Sequence, residues 1–265
     1  IGMQLHEIKL ANTPACFEPT LDYVVTKMPR FPFDKFTTAS NHLSTQMKAT
    51  GEVMSVGRTL EESLLKAIRS LENSKNHIHM EKFDSNHMTT DQLLDYIKEG
   101  TDDRIYAISQ LMWMGVDHSR ICNITQIDMF FLDKIKKIVD FEKEMEANPN
   151  SPELMKAAKK MGFSDSYIAE LWNTTEDDIY ERRIKEGLFP VYKMIDTCAS
   201  EFDSYVPYFY STYEEENESI VSDKKKIIVL GSGPIRIGQG VEFDYSTVHA
   251  VRAIREAGYE AIVIN

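Results

Sequence analysis

The chain has 265 residues, of which 42% are hydrophobic and 27% charged, a composition typical of a soluble globular protein. Its formal net charge of −12 disfavours binding to nucleic-acid phosphates, and no run of about 18 apolar residues predicts a membrane span. The three cysteines are far apart and odd in number, which argues against a disulfide framework and predicts a reducing, cytoplasmic location.

Residues 1–72 have a mixed α/β pattern. A compact apolar segment at 21–27 predicts a strand, and Pro29 and Pro32 are expected to end its ladder. A second short strand is predicted at 51–57, where the segment begins and ends with glycine. These two strands are expected to belong to a larger α/β domain.

A helix starting at Thr59 completes the mixed region, and from about residue 73 to residue 187 every signal is helical. Thr59 and Thr89 are each followed three residues later by Glu62 and Gln92, a spacing typical of capping boxes. Further predicted helix starts are Thr125 with Asp128, before an apolar side of Ile127, Phe131, Ile135, Ile138 and Val139, and Ser151 with Pro152, before a helix that Gly162 closes. The block has no alternating strand pattern and no heptads, so it predicts a bundle of mostly short helices.

Residues 188–213 are rich in aromatic side chains and include prolines, so an irregular segment laid over other domains is expected. Its aromatic residues are Phe189, Tyr192, Phe202, Tyr205, Tyr208, Phe209, Tyr210 and Tyr213. An acidic, solvated connector follows them.

Three histidines, His77, His79 and His87, lie close together in the sequence. Metal binding would need further ligands, no cysteine accompanies these histidines, and their spacing matches no known metal motif. A polar interhelical loop is therefore expected here, and no metal site is predicted.

A strand, a glycine-rich loop, a helix and a strand follow one another from residue 226 to residue 264. This order predicts the first β-α-β unit of an open parallel sheet, in which ligands bind at the carboxyl ends of strands. The loop itself is GSGPIRIGQG, from Gly231 to Gly240. Loops of this kind usually hold phosphate, so its side chains decide whether a nucleotide site is predicted.

The loop departs from a dinucleotide fingerprint. Gly231 and Gly233 fit the first two glycines of G-x-G-x-x-G, but Arg236 stands at the third. Asn265 stands where an acid would hold a ribose hydroxyl. Dinucleotide binding is therefore not favoured.

The loop also departs from a P-loop. Gly233 and Gly238 have the required spacing, but Gln239 and Gly240 replace the lysine and the hydroxyl residue that would hold phosphate and magnesium. Simple nucleotide binding is therefore not predicted.

The segment GSGPIRIGQGVEFDYSTVHA resembles the start of the second synthetase half in the large chain of carbamoyl phosphate synthetase. The resemblance extends to FEPTLDYVVTKMPRF, QMKATGEVMSVGRTLEESLLKAIRSLE, VYKMIDTCASEF and YSTYEEENE. It covers the chain from end to end, most weakly in the helical block.

The resemblance implies a mainly α chain, in which a helical oligomerisation bundle is flanked by α/β fragments. Residues 1–72 are expected to be the C-terminal part of the first, carboxyphosphate-forming ATP-grasp half. Residues 73–224 are expected to form the oligomerisation domain, with an extended aromatic connector at 188–224. Residues 225–265 are expected to open the pre-ATP-grasp domain of the second half.

The family's activity is that of an ATP-dependent ligase, which makes carbamoyl phosphate from bicarbonate, glutamine-derived ammonia and two ATP for arginine and pyrimidine synthesis. The complete, allosteric enzyme is expected to need ATP with Mg or Mn, and K, and a glutaminase small chain. Because the family's ATP and metal ligands lie outside the matched segments, this chain is expected to contain no catalytic residue and to bind no cofactor. It is expected to self-associate through the helical domain, and no nucleic-acid or membrane partner is expected.

The family passes unstable intermediates through an internal tunnel, which the glycine loop borders. By resemblance, Gly231, Gly233, Arg236, Gly238 and Gly240 are candidate tunnel-loop residues. The absence of a side chain at Gly240 would either keep the tunnel wide enough for the intermediates or allow tight packing of helix and strand. The sequence favours neither explanation. Two alternatives for the whole chain are a fragment of a dinucleotide-binding oxidoreductase and a structural helical adaptor.

Overall fold

The computed structural model describes residues 2–10, 13–199 and 205–265. Its helices are α1 (Leu60–Ser70), α2 (Thr90–Tyr96), α3 (Arg104–Trp113), α4 (His118–Thr125), α5 (Met129–Ala147), α6 (Pro152–Met161), α7 (Asp165–Leu171), α8 (Glu176–Lys185) and α9 (Glu242–Glu256), with short 3-10 helices at Leu5–Glu7 and Glu81–Phe83. Its strands are β1 (Val24–Arg30), β2 (Gly51–Gly57), β3 (Val191–Met194), β4 (Phe209–Thr212), β5 (Lys226–Leu230) and β6 (Glu260–Ile264). The strands form two-stranded sheets, β1 with β2, β3 with β4, and β5 with β6.

Strands β1 and β2 pair antiparallel, from Val24 opposite Gly57 to Arg30 opposite Gly51. The predicted stop at Pro29 is wrong, since Pro29 lies within β1 opposite Glu52. A two-stranded sheet leaves one edge of each strand unpaired, and an edge strand tolerates a residue that has no N–H to donate.

Helix α1 connects this sheet to the helical bundle. It begins as predicted at Thr59, whose hydroxyl accepts a hydrogen bond from the Glu62 N–H at 3.2 Å. The carboxylate of Glu62 does not complete a capping box, because it accepts from the Arg58 N–H at 2.7 Å instead. Helix α1 packs against both strands on one side and against α5 and α6 on the other.

The bundle surrounds one hydrophobic core. The fully inaccessible side chains of this core come from α1 to α8 and the loops between them, and include Leu65, Ile68, Ile78, Leu93, Ile97, Leu111, Ile121, Leu132, Ile138, Ile168 and Ile179. Each buried side chain of this size contributes about 1.5–3 kcal/mol relative to exposure, so this core is the main source of the chain's stability.

The helix ends follow local signals. Thr89 and Gln92 form the predicted capping box of α2, and Ser151 caps α6 with Pro152 at its first position. Gly162 ends α6 in a left-handed conformation, with φ of 94°. Such caps satisfy backbone groups that a helix end leaves unpaired, which is why they can be recognised without knowledge of the tertiary structure.

Helix α5 differs from its prediction in two respects. Thr125 is the last residue of α4, and Asp128 alone caps α5. Of the predicted apolar side, Ile135, Ile138 and Val139 are buried, but Phe131 is 51% exposed.

The aromatic segment is partly regular. Strands β3 and β4 pair antiparallel, from Val191 opposite Thr212 to Met194 opposite Phe209, where an irregular segment was expected. Tyr210 is buried, whereas Tyr205 and Tyr208 are more than 60% exposed. The predicted contribution of Phe202 lies outside the described residues.

The last part of the chain is the predicted β-α-β unit. Strands β5 and β6 pair parallel, from Lys226 opposite Glu260 to Leu230 opposite Ile264, and α9 packs on both. No residue of β5, α9 or β6 is buried.

The fold class predicted from the sequence is therefore confirmed, as a helical bundle accompanied by α/β pieces. No helix in the described ranges has both the length and the apolar character needed to cross a membrane.

Candidate functional site

The glycine loop connects the carboxyl end of β5 to the start of α9. The Gly231 N–H donates to the Ile264 carbonyl at 2.6 Å, so the loop leaves the sheet only after this bond. Gly233 and Gly238 have φ of 68° and 83°, a conformation that glycine adopts without strain. The backbone course of the loop therefore depends on at least these two glycines.

Asn265 occupies the mouth of the loop. Its side-chain oxygen accepts a hydrogen bond from the Gly233 N–H at 3.1 Å. A Cβ at Gly231 would overlap the same Asn265 side chain. Asn265 stands where a dinucleotide site would have a ribose-binding acid. It fills the space beside the loop and accepts a hydrogen bond from one of the loop N–H groups.

Two more N–H donors of the loop are also bound to side chains. The Arg236 N–H donates to Gln239 Oε1 at 3.0 Å, and the Gly240 N–H donates to Glu242 Oε1 at 2.9 Å. A phosphate cradle needs such N–H groups free and prefers no anion at the helix start. The Glu242 carboxylate stands at that start, so these residues do not fit a nucleotide phosphate.

The outer side of the loop approaches β2 and the end of α1. Arg236 forms an ion pair with Glu72, two residues after α1. A Cβ at Gly51, the first residue of β2, would lie 2.5 Å from the Ile235 carbonyl oxygen. The loop and the β1–β2 sheet therefore meet closely.

Gly240 is surrounded only by the Glu242 side chain. A Cβ built there would lie 2.8 Å from Glu242 Oε2, the far end of a flexible side chain. A side chain at position 240 therefore requires Glu242 to move but no backbone to shift.

The chain matches two protein-family models. Residues 52–187, just over half of its length, match the model described as carbamoyl-phosphate synthetase large chain, oligomerisation domain. The chain belongs to the carbamoyl phosphate synthetase large-chain family. Residues 223–265 match the carbamoyl phosphate synthase preATP-grasp domain, which contains β5, the glycine loop, α9 and β6.

Membership of the carbamoyl phosphate synthetase family confirms the resemblance that the sequence shows. It does not favour a dinucleotide-binding oxidoreductase fragment or an unrelated helical adaptor. The roles of the glycine-loop residues stay predictions, because the matches concern domains and not single residues.

A second group of polar residues lies inside the bundle, and sequence reasoning did not find it. His77 and His79, from the segment between α1 and α2, meet Glu142 of α5. The expected polar loop is thus partly wrong: His77 is 2% exposed, and His87 is not part of the group. No local signal connects Glu142 with histidines more than 60 residues earlier.

The environment shifts the pKa values of all three groups. Burial, aided by His79 and Arg69, lowers the pKa of His77 well below 6.5. Burial would also lower the pKa of His79, but its hydrogen bond to Glu142 raises it above 6.5. Burial raises the pKa of Glu142, and His79 opposes that rise. Perturbed titration of this kind is common at functional sites.

Proposed function

We propose that this chain is the central, non-catalytic part of a carbamoyl phosphate synthetase large chain. The observation that supports this most directly is one completed helical core between two open α/β pieces, with family matches to the oligomerisation and preATP-grasp domains. The division into residues 1–72, 73–224 and 225–265, with the connector at 188–224, is part of the proposal.

The complete enzyme would make carbamoyl phosphate from bicarbonate, glutamine-derived ammonia and two ATP, with Mg or Mn, and K. The same proposal includes a glutaminase small chain as partner, a cytoplasmic location and allosteric control. The product would be used in arginine and pyrimidine synthesis. This chain alone is expected to be inactive, because Asn265, Gln239 and Glu242 use loop N–H groups that a phosphate would need. ATP turnover by the isolated, purified chain, measured as phosphate release, would contradict this.

The bundle is proposed to self-associate, with a second copy of the chain as its partner. The support is the family's oligomerisation domain together with an exposed aromatic pair, Phe130 and Phe131, whose rings meet edge to face at 5.3 Å. They are 55% and 51% exposed at the start of α5, and exposed aromatic pairs are typical of interface centres.

Sedimentation velocity tests this surface. The unchanged chain is expected to sediment as a dimer or larger species, and the double variant Phe130→Ser and Phe131→Ser as a monomer. Tyr180→Ser, at an aromatic residue of α8 with 51% exposure, is the matched control and should not change the oligomer. If the unchanged chain sediments as a monomer at high concentration, the proposed self-association is refuted.

The glycine loop is proposed to border the tunnel between the two synthetase halves. Gly240 would lack a side chain so that intermediates can pass. The room around Gly240, limited only by the Glu242 carboxylate, supports passage over packing. In the complete enzyme, Gly240→Phe should keep ATP hydrolysis and lose carbamoyl phosphate formation. Gly240→Ala is the control, and full coupling in the Phe variant would refute the tunnel role.

A further inference from the structure

His77, His79 and Glu142 form what we term the histidine–glutamate cluster. Each can offer one ligand atom, and these atoms all lie within 4.8 Å of one another. His79 Nε2 is 2.6 Å from Glu142 Oε1, and His77 Nε2 is 3.9 Å from Glu142 Oε2. Two imidazoles and one carboxylate thus converge on a single point inside the bundle.

The cluster is buried and incompletely paired. His77 is 2% exposed and Glu142 1% exposed. Neither ring nitrogen of His77, nor Glu142 Oε2, has a hydrogen-bond partner among the described residues. Buried polar atoms without partners are uncommon in native proteins, and an unseen ion or water is one of the usual reasons.

Neighbouring aromatic rings fix the orientation of both histidines. The His77 ring stacks on Tyr167 with centroids 3.8 Å apart and packs on Phe163 at 4.6 Å. The His79 ring meets Trp113 edge to face at 5.8 Å. Ligands held in this way are preorganised, so little freedom is lost when they bind an ion.

A cavity of about 330 Å³ adjoins the cluster and is lined by His79 and Glu142 themselves. Asp84, Glu146 and Glu170 also line it, which makes its surroundings strongly negative. The cavity offers a route from solvent, an attractive field for a cation and room for a bound water.

We propose that His77, His79 and Glu142 bind one divalent transition-metal ion of the Zn²⁺ type, with a water from the adjoining cavity as the fourth ligand. Imidazole nitrogens with one carboxylate suit such ions, whereas Mg²⁺ prefers a set of oxygen ligands.

The geometry requires small movements of the ligand atoms. Ligand atoms around a tetrahedral Zn²⁺ with bonds of about 2.0–2.2 Å lie about 3.3–3.6 Å apart. His79 Nε2 and Glu142 Oε1 are closer than this because they are joined by a hydrogen bond, and His77 Nε2 lies 3.9 Å from the other carboxylate oxygen, Oε2. The ion would replace the hydrogen of the His79–Glu142 bond, and that proton would leave to solvent.

The ion would connect two distant parts of the chain. His77 and His79 belong to the segment between α1 and α2, whereas Glu142 lies in the C-terminal half of α5. Binding would hold that segment, which has only a short 3-10 helix of its own, against the longest helix of the bundle. The site is therefore a structural clamp of the bundle.

The test uses the untagged 265-residue chain after treatment with a chelator. Titration with Zn²⁺ should show one site per chain, quench or shift the fluorescence of Trp113 and, at about 100 times the dissociation constant, raise the unfolding temperature by roughly 5–10 °C. Mg²⁺ should do none of these. Co²⁺ should give the visible absorption of a tetrahedral nitrogen and oxygen site.

Variants decide whether these residues are the ligands. His79→Gln and Glu142→Gln should each lower Zn²⁺ affinity by more than about 100-fold, since even changes to second-shell groups cost about 10–100-fold. His87→Gln is the matched control, an exposed histidine close in sequence, and should bind as the unchanged chain does.

The His79 side chain is 26% exposed, so His79→Gln should stay folded even if the buried Glu142→Gln does not, and circular dichroism verifies this. The proposal is overturned if the unchanged chain takes up no Zn²⁺ at micromolar concentration. It is equally overturned if folded His79→Gln binds Zn²⁺ with undiminished affinity, because the ion would then lie elsewhere.

Discussion

The helical bundle and the β5–α9–β6 unit contain similar apolar side chains, yet only the bundle buries them. In the bundle, Leu111 and Ile138 are fully inaccessible. In the β-α-β unit, Leu230 is 76% exposed and Ile228 58% exposed, and α9 has no buried residue. The same residue types therefore have different energetic roles in the two regions.

The difference follows from how many neighbours each architecture requires. A bundle closes when a few short helices pack around one core, and α1 to α8 suffice for that. A parallel sheet needs helices on both faces, and one helix on two strands leaves most of its apolar surface open. The exposed faces of β5, α9 and β6 are those that a larger preATP-grasp domain would cover, as the proposed function requires.

The largest expected effect comes from matched leucine truncations in the two regions. Leu111→Ala should lower the free energy of unfolding by about 2–5 kcal/mol, because it leaves a cavity in a closed core. Leu230→Ala should change it by less than about 0.5 kcal/mol, because water already covers most of that side chain. Urea unfolding followed by tryptophan fluorescence and circular dichroism measures both. Equal losses would mean that β5 is as well packed as α3.

A smaller effect is expected from carboxylates in the two regions. Glu61 of α1 is inaccessible to solvent and lies 2.9 Å from Lys137 and 3.4 Å from Lys134 of α5. Burial would raise its pKa, but these lysines, with Lys137 foremost, and the start of α1 lower it below 4.5. Glu61→Gln should therefore cost about 1–2 kcal/mol at neutral pH.

The pH dependence has a definite sign. Because the folded-state pKa of Glu61 lies below its unfolded value, its contribution is complete above about pH 4.5 and is lost as the pH falls through the folded-state pKa. When unfolding is measured at several pH values, the unfolding free energies of the variant and the unchanged chain should become equal in acid. Glu260→Gln in β6, whose partner Lys226 is 3.9 Å away, should cost less than about 0.5 kcal/mol at any pH. A constant cost for Glu61→Gln would refute the role of its charge.

The smallest effect is expected where the two regions meet. Arg236 and Glu72 are paired but 54% and 40% exposed, so Arg236→Ala should change the unfolding free energy by less than about 1 kcal/mol. Limited proteolysis should show faster cleavage in the glycine loop of this variant, with cleavage elsewhere unchanged. Lys27→Ala, which breaks an exposed pair with Glu52, is the control. A large loss of stability would show that the contact supports the bundle as well.

The secondary structure of this chain could be predicted largely from local patterns. The helix starts at Thr59, Thr89 and Ser151 and the end at Gly162 follow from groups within a few residues of each other. The same holds for the order of β5, α9 and β6. Local hydrogen bonding and periodicity are enough for such features, since they depend on few distant neighbours.

Other features depended on tertiary packing. Phe131 has the spacing of a core residue, seven residues before the buried Ile138, yet it is 51% exposed, because tertiary packing decides which turns of α5 a neighbouring element covers. Asn265 enters the glycine loop because β6 pairs with β5 in one register. Glu142 reaches His77 and His79 only because α5 packs beside the segment that follows α1. These residues are far apart in sequence, and only the folded chain brings their atoms within bonding distance.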